Sequence, residues 1–261
     1  MNPHWLAGPL ALLLGGCVSP GMAPDADRLA QVKQAYVVAM QARPLGVPAG
    51  FRAQLPVAAS SVGAARGLAV VNTIALFLEM PEASDRRGEA SRSLQAAMDA
   101  SGAWIPTVAL ASEVARQLAA GGVATDLAPQ VKPLAGVEDT RATMTMENWL
   151  GPIRAHYNDP GPVEDYRAMG AGGGRVVIEA SLSNYEILGE SLLVQVHLKV
   201  IEPATGLVIG RARAARAFRL QEEGPVGRAF EDSAAGFKAA FAAGIRPLVR
   251  DCLAALGLLR T

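Results

Sequence analysis

Two cysteines in 261 residues, three histidines and an aromatic content of 5 % are the first scarcities of this sequence. Two cysteines make no disulfide framework. Three histidines leave little for a zinc site, which needs clustered His, Cys or carboxylate ligands. An excess of charge is missing too. Lys plus Arg is 24 and Asp plus Glu is 24, and this formal neutrality excludes the basic footprint of a nucleic-acid-binding domain. Catalytic motifs are equally scarce. No serine stands in a G-x-S-x-G elbow. The glycines of "MGAGGGRVV" (169–177) lead into a strand and are followed by Arg-Val, where a phosphate loop needs Lys followed by Ser or Thr. They read as a helix-to-strand connector. What is plentiful is small and apolar: 51 % of residues are hydrophobic and 27 are glycine, enough for a sizeable, closely packed core.

The longest early apolar stretch, Trp5 to Gly16, is broken only by Pro9. It is too short for a spanning helix, which takes about 20 residues, but it suits the apolar core of a signal peptide. Leu14-Gly15-Gly16-Cys17 follows and resembles the bacterial lipobox. The resemblance implies cleavage before Cys17 and acylation of that cysteine. Residues 1–9 contain no Lys or Arg, so the amino terminus alone carries the positive charge usual there. Two or three acyl chains hold a protein firmly to a bilayer, each buried CH₂ contributing about 0.8 kcal/mol. Residues 18–24, with two prolines and a glycine, read as a tether. Val18 stands where enterobacterial lipoproteins retained in the inner membrane carry Asp, so the resemblance implies the outer membrane.

Residues 25–261 read as one α+β domain: a mixed helix and strand N-terminal part, an antiparallel meander, and a C-terminal amphipathic helix on the sheet. Leu29, Val32, Tyr36 and Met40 repeat at helical spacing and predict a helix over 25–43, capped by Asp25 or Asp27 and stopped by Pro44. Residues 67–79 predict a buried strand, and 81–98 a charged loop running into a helix. Residues 106–122 predict a helix facing inward with Val108, Ala111, Val114, Ala115 and Leu118 and ended by Gly121-Gly122. Residues 123–142 predict a short strand and loop. A helix interrupted near Gly151-Pro152 (144–158) and a short one at 162–170 follow. From Arg175 the period becomes two. Val176, Ile178, Ala180 and Leu182 share one face of 176–187, and Leu192, Val194, Val196, Leu198 and Val200 one face of 191–201. Gln195, His197 and Lys199 fall on a solvent face, and 207–220 completes the meander. The closing helix spans 226–258, with kinks expected at Gly244 and Pro247.

His156 and His197 read as surface histidines. Glu138-Asp139 and Glu222-Glu223 read as solvated loop charges, and Cys252 as inert packing. Arg211 and Arg213 share a strand face and predict, with Arg216 and Arg219, a basic stripe for an acidic partner or anionic lipid, unless neighbours such as Glu179 neutralise it. Phe230, Phe237 and Phe241 are half of the six phenylalanines and lie on one stripe, which is either the core seam or a docking surface.

The order "ASEVARQLAAGGV", "RVVIEASLSNYEI", "LLVQVHLKVIEPATGLVIGRARA", over residues 107–215, resembles accessory periplasmic lipoproteins such as the curli-secretion lipoprotein and transporter auxiliaries. Its turn Glu202-Pro203-Ala204-Thr205-Gly206 resembles their D-x-x-T-G turn. The resemblance implies a non-enzymatic envelope role. The expectation is an outer-membrane-anchored, periplasm-facing accessory or assembly factor. It binds the membrane through the acyl chains on Cys17 and an envelope protein as partner, with no nucleic acid, metal or cofactor. The alternatives are a lipid- or small-ligand-binding lipoprotein with a cleft between meander and last helix, or an envelope hydrolase with a dispersed site.

Overall fold

A computed structural model describes residues 23–47, 54–56, 71–73, 83–137, 146–169, 174–220 and 226–259. The lipobox and Cys17, most of the tether and most of the expected strand at 67–79 lie outside the described residues.

The first helix, α1 (Ala26–Ala30), is a single turn. Asp25 caps it, its carboxylate accepting from the Arg28 amide at 3.2 Å. The chain then turns to strand β1 (Gln34–Ala39), so the helix expected to continue to residue 43 is corrected. Val32, Ala35, Val37 and Ala39 enter one core, and Val38 and Met40 enter a second on the opposite side of the sheet. A strand buried on both faces shows apolar residues at nearly every position, so helical spacing fits it by accident.

A hairpin of β2 (Gln54–Pro56) and β3 (Val71–Thr73) precedes helix α2 (Ala83–Asp99) and helix α3 (Pro106–Ala120). Leu110 is buried in α3, whereas Val108, assigned inward from its spacing, is 42 % exposed. Strand β4 (Ala124–Leu127) follows, then helix α4 (Met146–Asn158), which continues through Pro152 without the expected interruption. The helix expected at 162–170 is one 3-10 turn, Arg167–Met169.

Strands β5 (Arg175–Leu188), β6 (Ser191–Glu202) and β7 (Leu207–Arg219) form the meander. The sheet order is β4-β1-β5-β6-β7, with β4, β1 and β5 parallel and β5, β6 and β7 antiparallel. A bulge between Leu182 and Tyr185 resets β5, so that Tyr185 and Ile187 rejoin the inner face. The Glu202–Gly206 turn closes with the Thr205 hydroxyl donating to the Glu202 carboxylate at 2.6 Å, and Gly206 takes φ +72°. Gly174, at φ +81°, brings its carbonyl to the amides of Lys33 and Gln34, joining the glycine-rich connector to the start of β1.

A 3-10 turn, Val226–Phe230, leads into helix α5 (Glu231–Ala255). Its bend lies at Asp232, Ser233 and Ala234, all left-handed with φ 49°, 61° and 59°, and not at Gly244 or Pro247. Gly244 has another role, because a Cβ there would collide with the Phe218 ring. Three layers result. Helices α2, α3 and α5 cover one face of the sheet, and α4 with the segments around Leu134 and Tyr166 covers the other. The α+β expectation holds, with both faces of the sheet covered.

Candidate functional site

The central part of the meander face expected to be wet is dry. His197 and Lys199 on β6 and Glu179 on β5 are buried beneath α4 and the segment that follows it. The antiparallel register sets Glu179 directly opposite Lys199, and Lys199 Nζ lies 3.0 Å from Glu179 Oε2. The ammonium donates to the carbonyls of His156 at 3.0 Å and Gly161 at 2.8 Å, so toward Glu179 it acts chiefly as a charge. Glu179 Oε1 accepts from the Val163 amide at 2.7 Å and the Tyr166 hydroxyl at 3.0 Å. The four hydrogen bonds tie the 156–166 segment to the sheet, and the ion pair joins β5 to β6. Burial and the Glu179 carboxylate together raise the Tyr166 pKa, so this phenol stays a donor.

The neighbouring polar centre is Ser183, His197 and Gln195. Ser183 Oγ lies 2.7 Å from His197 Nε2 and donates to Gln195 Oε1 at 2.7 Å. Which of Ser183 and His197 donates follows the tautomer of His197. Its Nδ1 has no hydrogen-bond partner among the described residues, and Tyr157 packs edge-on at 4.6 Å. A general base must present a lone pair to the nucleophile, with a third group holding its other nitrogen. Among the described residues no third group holds the other nitrogen of His197.

Both histidines correct the surface assignment, and both are held neutral. Burial pulls His197 down to about 3, helped by the charge of Arg213. Burial and Lys199 pull His156 down to about 4. In the unfolded chain each titrates near 6.5. Between those values the unfolded chain binds more protons, so the stability these groups contribute is full above pH 6.5 and falls as pH drops toward 4. The expected slope is about 1.4 kcal/mol per pH unit for each histidine. Urea midpoints measured from pH 7 to 4 should show it, and His197→Gln should flatten it by about one proton.

Arg211 and Arg213 share one face of β7, opposite Lys199 and His197, and are half-buried, while Arg216 and Arg219 are exposed. Arg211 Nη2 donates to the Asp159 carbonyl at 2.6 Å and reaches that of Asn158 at 3.4 Å, at the C-terminal end of α4 where a cation is favoured. Arg213 is half-buried, and its charge acts on His197 and Tyr157. Glu179, expected to neutralise the stripe, pairs with Lys199 instead. Phe230, Phe237 and Phe241 come together, but inside the core. Phe230 stacks on Phe237 with centroids 4.7 Å apart, and Trp104 and Tyr185 meet both Phe237 and Phe241 edge-on. The interface between meander and last helix, where a ligand cleft was expected, is filled by these rings. Cys252 is buried there too, its thiol pushed up to about 12 by desolvation.

A cleft does exist, elsewhere. About 370 Å³ in volume, it lies beyond the carboxyl ends of β1 and β4, between residues 41–44, α2, the start of α3 and Val131. Trp104, Ile105 and Pro106 form apolar wall, and Arg43, Arg92, Gln41 and Gln95 supply the polar groups. Arg43 is buried, with Nη1 donating to the Ser183 carbonyl at 3.3 Å. Desolvation lowers its pKa against the raising fields of Glu186 and Tyr185. Gln95 is held by Asp99 and the Trp104 carbonyl. Sequence reading missed this site, because its residues come from four segments with no shared motif. The visible signal was Trp104, one of only three tryptophans, beside a proline that starts a helix.

No family model matches the chain, and no curated protein matches it. Among solved structures, a PelC dodecamer from Paraburkholderia phytofirmans is 13 % identical with a TM-score of 0.34, over 88 % of this chain and 91 % of that one. A point variant of that PelC dodecamer, in another crystal form, gives the same identity and TM-score over 87 % of this chain and 90 % of that one. The protein XCC0632 from Xanthomonas campestris, of the DUF330 family, is 10 % identical with a TM-score of 0.33, over 91 % of each chain.

Proposed function

We propose that this chain is a lipoprotein of the bacterial outer membrane, held by an acylated Cys17 and acting without catalysis as an accessory or assembly factor through contact with an envelope protein. The observation that carries the reading is Leu14-Gly15-Gly16-Cys17, followed within a few residues by the point where the domain takes hold of the chain. There the Asp25 amide donates to the Ile209 carbonyl of β7 at 2.8 Å, and Pro24 approaches Gly210. Five residues separate Cys17 from Ala23. At about 3.3 Å per residue the tether spans about 20 Å, so the domain stays close to the membrane. The non-enzymatic part of the reading is supported by His156, His197, Ser183, Glu179 and Lys199. Glu179, Lys199 and His197 make buried contacts with α4 or the segment that follows it, and Ser183 is bonded within the sheet to Gln195 and His197.

The test is Cys17→Ser in cells fed a labelled fatty acid. The substitution is expected to abolish labelling and leave uncleaved precursor, and unchanged labelling would remove the anchor from the reading. Affinity purification of the unaltered protein from envelope extracts should bring down one envelope protein reproducibly.

A further inference from the structure

We infer that the cleft beside Trp104 binds a single-chain amphiphile with an anionic head, of the class of a medium-chain carboxylate. This goes beyond the anchoring and accessory role and does not depend on it. The first ground is topology. Strands β1 and β4 are parallel neighbours, yet the helices that follow them lie on opposite faces: α2 with the larger core, α4 with the smaller. The chain therefore parts at their carboxyl ends, and in open sheets with parallel strands that crevice is where ligands bind. The cleft lies there, lined by residues 41–44 after β1 and Val131 after β4.

The second ground is charge. Both charged residues that line the cleft are arginines, Arg43 and Arg92, in a chain that is formally neutral as a whole. Arg43 is 4 % exposed, bonded to the Ser183 carbonyl and in the field of Glu186, so Arg92 at the exposed rim is the cation more open to a ligand. The start of α3 adds to this. Its N-cap, Ile105, offers no side-chain cap, and Pro106 is the first helical residue, so the positive end of the helix opens beside the arginines. Asp99 lies one residue layer out, engaged by Gln95 and the Trp104 amide.

The third ground is the walls. Trp104, Ile105, Pro106 and Val131 give an apolar surface continuous with the core, and Ile105 is 38 % exposed in a protein that buries most of its large apolar side chains. About 370 Å³ is at the small end of ligand sites, which suits one chain better than the two chains of a phospholipid. An apolar wall with two arginines in the lining matches a single chain that carries one carboxylate.

The experiment uses the protein as cells produce it, in zwitterionic nanodiscs, with a photoreactive laurate mapped by mass spectrometry. Label is expected on the peptides holding Trp104–Ile105 and Val131. Unlabelled laurate should displace it about tenfold better than dodecanol, a difference of about 1.4 kcal/mol. Arg92→Glu, at an exposed rim position, should cut labelling to a similar degree with the melting temperature unchanged. Equal displacement by dodecanol would overturn the anionic head. Displacement by phosphatidylglycerol added to the nanodisc would move the site to bilayer lipid and overturn the single-chain assignment. Label found only outside the cleft would overturn the site, whatever the fate of Cys17.

Discussion

Glu179→Gln is expected to destabilise the domain by about 3–5 kcal/mol, because it leaves a buried ammonium without its counter-charge. The Glu179 side chain is 0 % and that of Lys199 1 % exposed, so water cannot take over. The carboxylate also accepts from the Val163 amide and the Tyr166 hydroxyl, and glutamine keeps only part of that capacity. Against a typical domain stability of about 5–15 kcal/mol the loss is large. Urea unfolding of the full chain measures it. Replacing both charges, Glu179→Leu with Lys199→Met, should recover much of the loss, since an apolar pair of similar volume is often as stable as a buried ion pair. A single substitution costing under about 1 kcal/mol would mean that α4 is held by its apolar contacts, chiefly Trp149 and Ile153, and not by this pair.

Phe237→Ala should cost about 3–5 kcal/mol, the usual range for emptying a buried aromatic site. Phe237 is the hub of the ring cluster, stacked on Phe230 and met edge-on by Trp104 and Tyr185. Thermal unfolding decides the matter, with Val108→Ala on exposed α3 surface as a control expected to stay within about 0.5 kcal/mol. A stable Phe237→Ala protein that has lost its envelope partner would revive the docking alternative for this stripe.

The two substitutions differ in how well the sequence announces them. The phenylalanine stripe is legible in part: Phe237 and Phe241 follow the helical periodicity of the one covered face of α5, whereas Phe230 reaches the same core from the 3-10 turn before the bend at Asp232–Ala234. The pairing of β5 with β6 is legible for a similar reason: the inner residues 192–200 alternate strictly, and a two-residue connection, Gly189-Glu190, leaves few registers. The reading failed at β1 and on the outer face of the meander. In β1 the residues 34–39 serve two cores, and a doubly buried strand loses the alternation that marks a strand. On the meander, polar residues at alternate positions normally mean water, and Glu179, His197 and Lys199 follow that rule in sequence while breaking it in space.

Local chemistry by itself determined the strand alternation, the Asp25 cap, the Gly121 helix end and the amphipathic last helix, because each rests on residues within a turn or two of one another. Only the tertiary structure decided that α4 lies over the meander and turns its wet face into a second core, and that Glu179 and Lys199 become mutual counter-charges. It alone decided that the ends of β1, β4, α2 and α3 enclose a cleft. The reason is the same in each case. Whether a polar side chain is solvated or paired, and whether an apolar one faces core or ligand, depends on which distant segment covers it, and burial by a distant segment leaves no periodic trace in the covered strand.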